Sequence, residues 1–175
     1  MTEMAKIGSA YFLMAALSAS LCGWASDRWI RSGATPTRVR KTFMAIGCFG
    51  AGAFLLASLG APRFWGIVFL MLSGVLFGFS SANLWAITQR MAGPQAVGRW
   101  CGLQLFVGNS SGVVAPAIAG FLLDRTGSFF RPFLIEALVI WLGALTWILV
   151  VGPIEPVEWG KGATLPESLE VQLSH

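Results

Sequence analysis

Five long apolar runs limit what this chain can fold into. They lie at approximately 4–24, 42–59, 64–87, 103–123 and 133–151, each close to the ~20 residues a helix needs to cross ~30 Å of hydrocarbon. Backbone N–H and C=O groups find no water inside a bilayer, so runs of this length predict helices that satisfy their own backbone bonds. Only 11% of the 175 residues are charged and the mean hydropathy is +0.70, whereas roughly a quarter of a soluble domain is charged. Length alone would fit one soluble domain, but a surface this apolar needs lipid as its solvent. The expected fold is an all-α integral membrane protein with five transmembrane helices. The first run is too long for a signal-peptide core, and its basic cluster follows it, so it counts as a true span.

Gly, Pro and charge clusters at 26–41, 60–63, 88–102 and 124–132 separate the runs. Thr35-Pro36 suits an N-cap and first helical position, and Pro132 similarly opens the fifth helix. Arg28, Arg31, Arg38, Arg40, Lys41, Arg90, Arg99 and Lys161 fall on one side of the membrane, and Lys6, Arg63, Arg125 and Arg131 on the other. Eight against four places the first group in the cytoplasm, with the N-terminus outside and the C-terminus inside. Trp24, Trp29, Trp65, Trp100 and Trp159 fall near the expected interfaces, where indoles favour the headgroup level. The polar stretch 153–175, with Pro153, Pro156 and Pro166, is expected to be a disordered cytoplasmic tail.

The net charge of +4 is topology charge between spans and not a nucleic-acid face. Cys22, Cys48 and Cys101 sit in separate apolar surroundings without metal-ligand spacing, as packed thiols do. The single histidine is His175, so histidine-based catalysis and His-ligated metal are excluded. Gly78-Phe79-Ser80-Ser81-Ala82 nearly spells a nucleophile elbow but lacks the final glycine, a histidine partner and a strand–turn–helix context. No enzyme, cofactor or metal is expected.

Gly74-x-x-x-Gly78 in the third run, and Gly108, Gly112, Pro116 and Gly120 along one face of the fourth, mark close helix approach, with a hinge at Pro116 as the functional alternative. Polar groups inside spans must be buried or face water. Ser81, Trp85 and Thr88 share a helical face, as do Gln104, Ser111 and, more loosely, Gly108; Asn109 lies nearby. Read from residues alone, they form either a cavity for a small polar solute or interhelical hydrogen bonds that hold the bundle together. Glu136, the acidic residue inside a span, reads either as a proton or cation site or as a group that snorkels outward or pairs with Arg131 or Arg125. The segment Gly23 to Lys41 reads as a charge lock between helices, in which Gly23 allows close approach and Asp27 meets an arginine or a helix N-terminus, or as a simple topology anchor.

The Gly23-x-x-x-Asp27-Arg28-x-x-Arg31 pattern resembles the signature loop of the major facilitator superfamily, which recurs once in each half. Asn83-Leu84-Trp85-Ala86-Ile87-Thr88-Gln89 through Gly93-Pro94, then Gly102-Leu103-Gln104, Gly108-Asn109, Ala115-Pro116, Gly120, Asp124 and Thr126-Gly127-Ser128-Phe129, look like the last helices of its anion:cation symporter family. The resemblance runs from about residue 7 to Trp159. It implies helices eight to twelve of a proton-coupled carrier of organic anions, such as sugar acids or dicarboxylates. Such carriers have two six-helix halves with the substrate at their interface.

On that likeness Trp85 and Asn109 match positions near the family's substrate cavity; with Ser81 and Gln104 from the polar faces they are the expected substrate-binding residues, and Gly23, Asp27, Arg28 and Arg31 the conformational lock. Leu105 stands where many members have asparagine. No Lys or Arg lies deep in a span to neutralise an anion, so the expected partners are membrane lipid, an N-terminal half and a small organic anion. The expected location is the plasma membrane, as in a bacterial inner membrane. The alternative is a truncated, non-transporting membrane protein.

Overall fold

The computed structural model describes residues 2–157, with side chains described from Ala5 onward. Four helices follow in order: α1 Thr2–Arg31, α2 Pro36–Gly60, α3 Arg63–Thr126 and α4 Phe130–Leu149. All four are long and apolar enough to cross a membrane. At 64 residues, α3 would measure about 96 Å if straight, three times the hydrocarbon thickness. It is not straight. Gly93, at φ 64° and ψ 173°, is the one residue in it with non-helical backbone angles, in a region that side-chain-bearing residues do not tolerate. Pro94 follows without an N–H to donate and disfavours a helical residue before it.

The two legs of α3, 63–92 and 94–126, fold back on each other. Sixteen residues of straight helix would separate Thr88 from Gln104 by about 24 Å, yet their side chains lie 2.8 Å apart. Counting the legs separately, the described residues form five span-length helical segments.

The connections are shorter than the expected ones. They shrink to 32–35, 61–62, Gly93 and 127–129. Charge marks where the hydrocarbon ends and not where the helix ends, because Arg and Lys are good helix formers once in the headgroup layer. Each stop has a local cause. Gly33 takes φ 104° after α1. Thr35 holds the N-cap position of α2 in extended conformation without a side-chain cap bond, and Pro36 follows. Ala61 is extended before Pro62, as the residue preceding proline should be. Gly127 closes α3 at φ 62°, its N–H donating to the Leu123 carbonyl at 2.7 Å, an αL cap. Pro116 leaves the helical angles of α3 intact, so no hinge is built there.

The proximal leg of α3 packs between α1 and α2, and α2 packs against α4. Glycines allow this. A Cβ on Gly78 would meet the Ser18 hydroxyl and the Ala15 carbonyl of α1, and one on Gly74 would lie 2.7 Å from the Tyr11 ring. On α2, a Cβ at Gly47 would lie 2.7 Å from the Ser80 nitrogen. In lipid, where helix association rests on van der Waals fit and interhelical hydrogen bonds, such approach is the packing energy. Ser18 adds a hydrogen bond at 2.7 Å to the Val75 carbonyl, and the Trp141 indole donates to the Phe49 carbonyl at 3.2 Å. The expected second glycine face is different: at Gly108, Gly112 and Gly120 a Cβ would meet nothing within 4 Å.

The first residues of the expected tail are tied down. Ile154, 1% exposed, joins Met44 and Ile87 in one buried cluster. Its N–H donates to the Thr37 hydroxyl at 2.9 Å, and its carbonyl accepts from Arg90 at 3.1 Å. The Val157 N–H donates to the Met91 carbonyl at 2.8 Å, and Lys41 donates to the carbonyls of Ile148 and Val151, a cation at the negative end of α4. The rest of the tail, with Trp159 and His175, lies outside the described residues.

Candidate functional site

The fold-back at Gly93 creates a cleft of about 600 Å³ between the legs of α3, closed on one side by Trp147 of α4. Trp85 reaches it from the proximal leg; Trp100, Gln104 and Asn109 reach it from the distal one. Three of the four expected substrate-binding residues are thus brought together, although 19 and 24 positions separate Gln104 and Asn109 from Trp85. Ser81, one turn above Trp85 on the same leg, does not line the cleft. Leu105 does, presenting an apolar side chain.

The amides divide their work. Gln104 meets the Thr88 hydroxyl, which also lies 3.0 Å from the Leu84 carbonyl. The Thr88 hydroxyl is the donor to both Gln104 Oε1, at 2.8 Å, and the Leu84 carbonyl, so its one proton is shared between them. This contact joins the two legs. Asn109 lines the cleft with two N–H donors and one carbonyl acceptor, and the Trp85 indole adds a donor and an apolar face. A mostly apolar wall with a few polar groups is what a small-solute site requires. Among the described residues no cation lines the cleft.

The second cluster lies at the end of the bundle where α1 finishes. Asp27 pairs with Arg40 of α2 at 3.1 Å, and not with Arg28 or Arg31 of its own helix. The other Arg40 nitrogen donates to Asn83 of α3 at 3.4 Å. Asn83 is fully buried and donates in turn to the Phe79 carbonyl at 2.9 Å and the Cys22 sulfur at 3.4 Å. Arg40 thereby bridges three helices, and its Nε is buried without a hydrogen-bond partner among the described residues.

Of the residues expected to form a conformational lock, Asp27 is the one that makes an interhelical ion pair among the described residues. Arg31 Nε reaches only the Asp27 backbone carbonyl, at 3.4 Å, and Arg28 stands over the Trp24 ring, 5.8 Å from its centroid. A Cβ at Gly23 would meet nothing within 4 Å, so no close approach depends on it. Arg31 lies one turn from Asp27 on the same helix, a spacing that would allow the two to pair, yet the carboxylate is taken by Arg40 across the contact between α1 and α2. Arg40 was hidden among five basic residues of the 26–41 segment, and sequence spacing could not single it out. Trp147 was equally invisible, since nothing but tertiary packing brings α4 to the cleft.

Glu136 makes no ion pair with Arg131 or Arg125 among the described residues; Arg125 instead stacks on Phe121, 5.0 Å from its ring centroid. The carboxylate lines a groove of about 480 Å³ between the distal leg and α4, with Ser111, Ala115, Pro116 and Ala119 opposite. Among the described residues no group of three or more His, Cys, Asp or Glu is placed to hold a metal ion.

Comparison with known proteins gives a consistent picture. A family profile described as Major Facilitator Superfamily matches residues 1–171. The chain is 31% identical over 118 residues to the hexuronate transporter of Bacillus subtilis, covering 67% of this chain and 25% of that protein. It is 28% identical over 148 residues to the D-galactonate transporter of Escherichia coli, covering 83% of this chain and 34% of the relative. A probable chloroplastic anion transporter 5 of Oryza sativa is 30% identical over 173 residues, 96% of this chain and 36% of its own length. The chain spans about a third or less of the length of these curated relatives.

Proposed function

The chain belongs to the major facilitator superfamily, and from that premise we propose that it is the C-terminal part of a symporter for organic anions. In this reading it is proton-coupled and works only joined to an N-terminal half that supplies the other wall of the cavity. The observation that carries the reading is the cleft in which Trp85, Trp100 and Asn109 converge. Sugar acids and dicarboxylates both offer oxygen acceptors to the indole and amide donors; a sugar ring also offers C–H faces for the indole. The relatives named for hexuronate and D-galactonate favour the sugar acids. Among the described residues no cation lines the cleft, and in this reading the N-terminal half meets the substrate carboxylate.

Asp27, Arg40 and Asn83 form the lock that holds three helices together and opens as the carrier rocks. In this reading that lock and the C-terminus are cytoplasmic, which the eight-to-four distribution of basic residues supports, and the membrane is a bacterial plasma membrane, in keeping with the relatives from Bacillus subtilis and Escherichia coli.

The test is uptake of labelled galacturonate by the intact carrier in proteoliposomes. Asn109→Ala and Trp85→Ala are each expected to lower uptake by about tenfold, the worth of one hydrogen bond to a charged ligand. Unchanged uptake in both variants removes the site assignment. A native mass of 18.7 kDa in source membranes, with a stable homodimer in mild detergent that binds no organic acid, overturns the transport reading itself.

A further inference from the structure

We propose that Trp24, Arg28, Arg31 and Ser32, at the end of α1, bind the phosphate of an anionic membrane lipid. Arg40 is taken by Asp27 and Asn83, and Lys41 by the end of α4. Arg28 and Arg31 meet no carboxylate among the described residues: one stacks on an indole, the other touches a backbone carbonyl. Both are exposed, so their remaining N–H donors face outward.

Spacing supplies the geometry. Trp24, Arg28 and Arg31 follow one another by four and three residues, which stacks them on one face of α1. Together with Ser32 they line a cavity of about 290 Å³. A guanidinium fork matches two phosphate oxygens, and two forks one turn apart can hold one phosphate between them. Depth selects the source of that phosphate. The apolar run ends at Trp24, which is 61% exposed, and Arg28 and Arg31 stand about 6 Å and about 10 Å beyond it along the axis. The headgroup layer extends about 5–8 Å beyond the hydrocarbon, so Arg28 stands within it, and the long side chain of Arg31, directed back toward the start of the helix, reaches it from just outside; basic residues there attract anionic lipid. Trp24 lies alongside the glycerol and upper acyl region, where indoles favour the interface.

The full chain in mild detergent, observed by native mass spectrometry with dioleoylphosphatidylglycerol or dioleoylphosphatidylcholine, tests this. The phosphatidylglycerol adduct should exceed the phosphatidylcholine adduct by about fivefold or more and fall by a similar factor in Arg28→Gln/Arg31→Gln. Arg38→Gln/Arg99→Gln, an equal loss of two charges outside the cavity, should leave it intact. Equal adducts for the two lipids, or equal loss in Arg38→Gln/Arg99→Gln, would overturn the site. Displacement of the lipid by inorganic phosphate at the same concentration would assign the cavity to free phosphate and overturn the lipid reading. A measurement that leaves the arginines in place protects against a misfolded variant. Phosphatidylglycerol brominated on its acyl chains should quench more tryptophan fluorescence than brominated phosphatidylcholine, and the excess should vanish in Trp24→Phe. An excess that survives in Trp24→Phe sinks the proposal.

Discussion

At the scale of single residues, the two glycine motifs show how little a pattern says without its partner. Gly74 and Gly78 face α1 so closely that a methyl group at Gly78 would enter the Ser18 hydroxyl and Ala15 carbonyl. Gly112 has the same spacing relation to its neighbours and opens onto empty space. Gly78→Ala is therefore expected to destabilise the bundle by about 1–3 kcal/mol through overpacking, and Gly112→Ala to leave it unchanged. Thermal unfolding of the two variants in detergent checks this; equal midpoints would mean that α1 and α3 separate at no cost. Asp27 teaches the same lesson in charge. Its sequence neighbours Arg28 and Arg31 are the obvious partners, yet the carboxylate pairs with Arg40, 13 positions away. Asp27 is 55% exposed, so the pair itself contributes about 1 kcal/mol or less. Its importance lies in holding α1 to α2, and through Asn83 to α3.

At the scale of elements, the break at Gly93 decides the architecture. The Gly93-Pro94 dipeptide is a turn signal in sequence, but the surrounding 88–102 segment was expected to be a connection and is helical on both sides of one residue. Helix runs up to the reversal because Thr88, Gln89, Arg90 and Met91 keep their backbone bonds and need only Gly93 to leave the helical region. Replacing Gly93 by Ala forces a side chain into φ 64° at about 1–3 kcal/mol of strain, which straightening the reversal would relieve. Cysteines placed as Thr88→Cys and Gln104→Cys, with Cys101 removed, should cross-link on mild oxidation in the parent. The yield should fall about fivefold when Gly93→Ala is added, in line with one to two kcal/mol of strain. Undiminished cross-linking would show that the legs are held by their contact and not by the glycine.

At the scale of the whole molecule, four hydrogen bonds gather the start of α2, the break in α3 and the segment after α4 at one end of the bundle: Ile154 to Thr37, Arg90 to Ile154, Val157 to Met91 and Lys41 to Ile148. All of these elements must then share one side of the membrane, opposite 61–62 and 127–129. In sealed vesicles, a membrane-impermeant maleimide should label Gly33→Cys and Glu155→Cys from the same side and Ser128→Cys from the other. Gly33→Cys and Ser128→Cys labelled together would contradict the arrangement.

The apolar runs by themselves determined the fold class, because lipid leaves a chain of this composition no alternative to helices of spanning length, and the ordered motifs determined the family. Trp85, Gln104 and Asn109 were legible as polar groups in spans, since such groups are costly in hydrocarbon and stand out. Tertiary structure alone decided that Ser81 stays out of the cleft and that Trp100 and Trp147 join it. It likewise decided that Arg40 takes Asp27 and that Ile154 is core although it lies in a polar stretch. Helical periodicity reports which face of a helix a residue occupies, and that is a local property. Which other helix covers that face depends on packing between segments far apart in sequence, and no spacing along the chain encodes it.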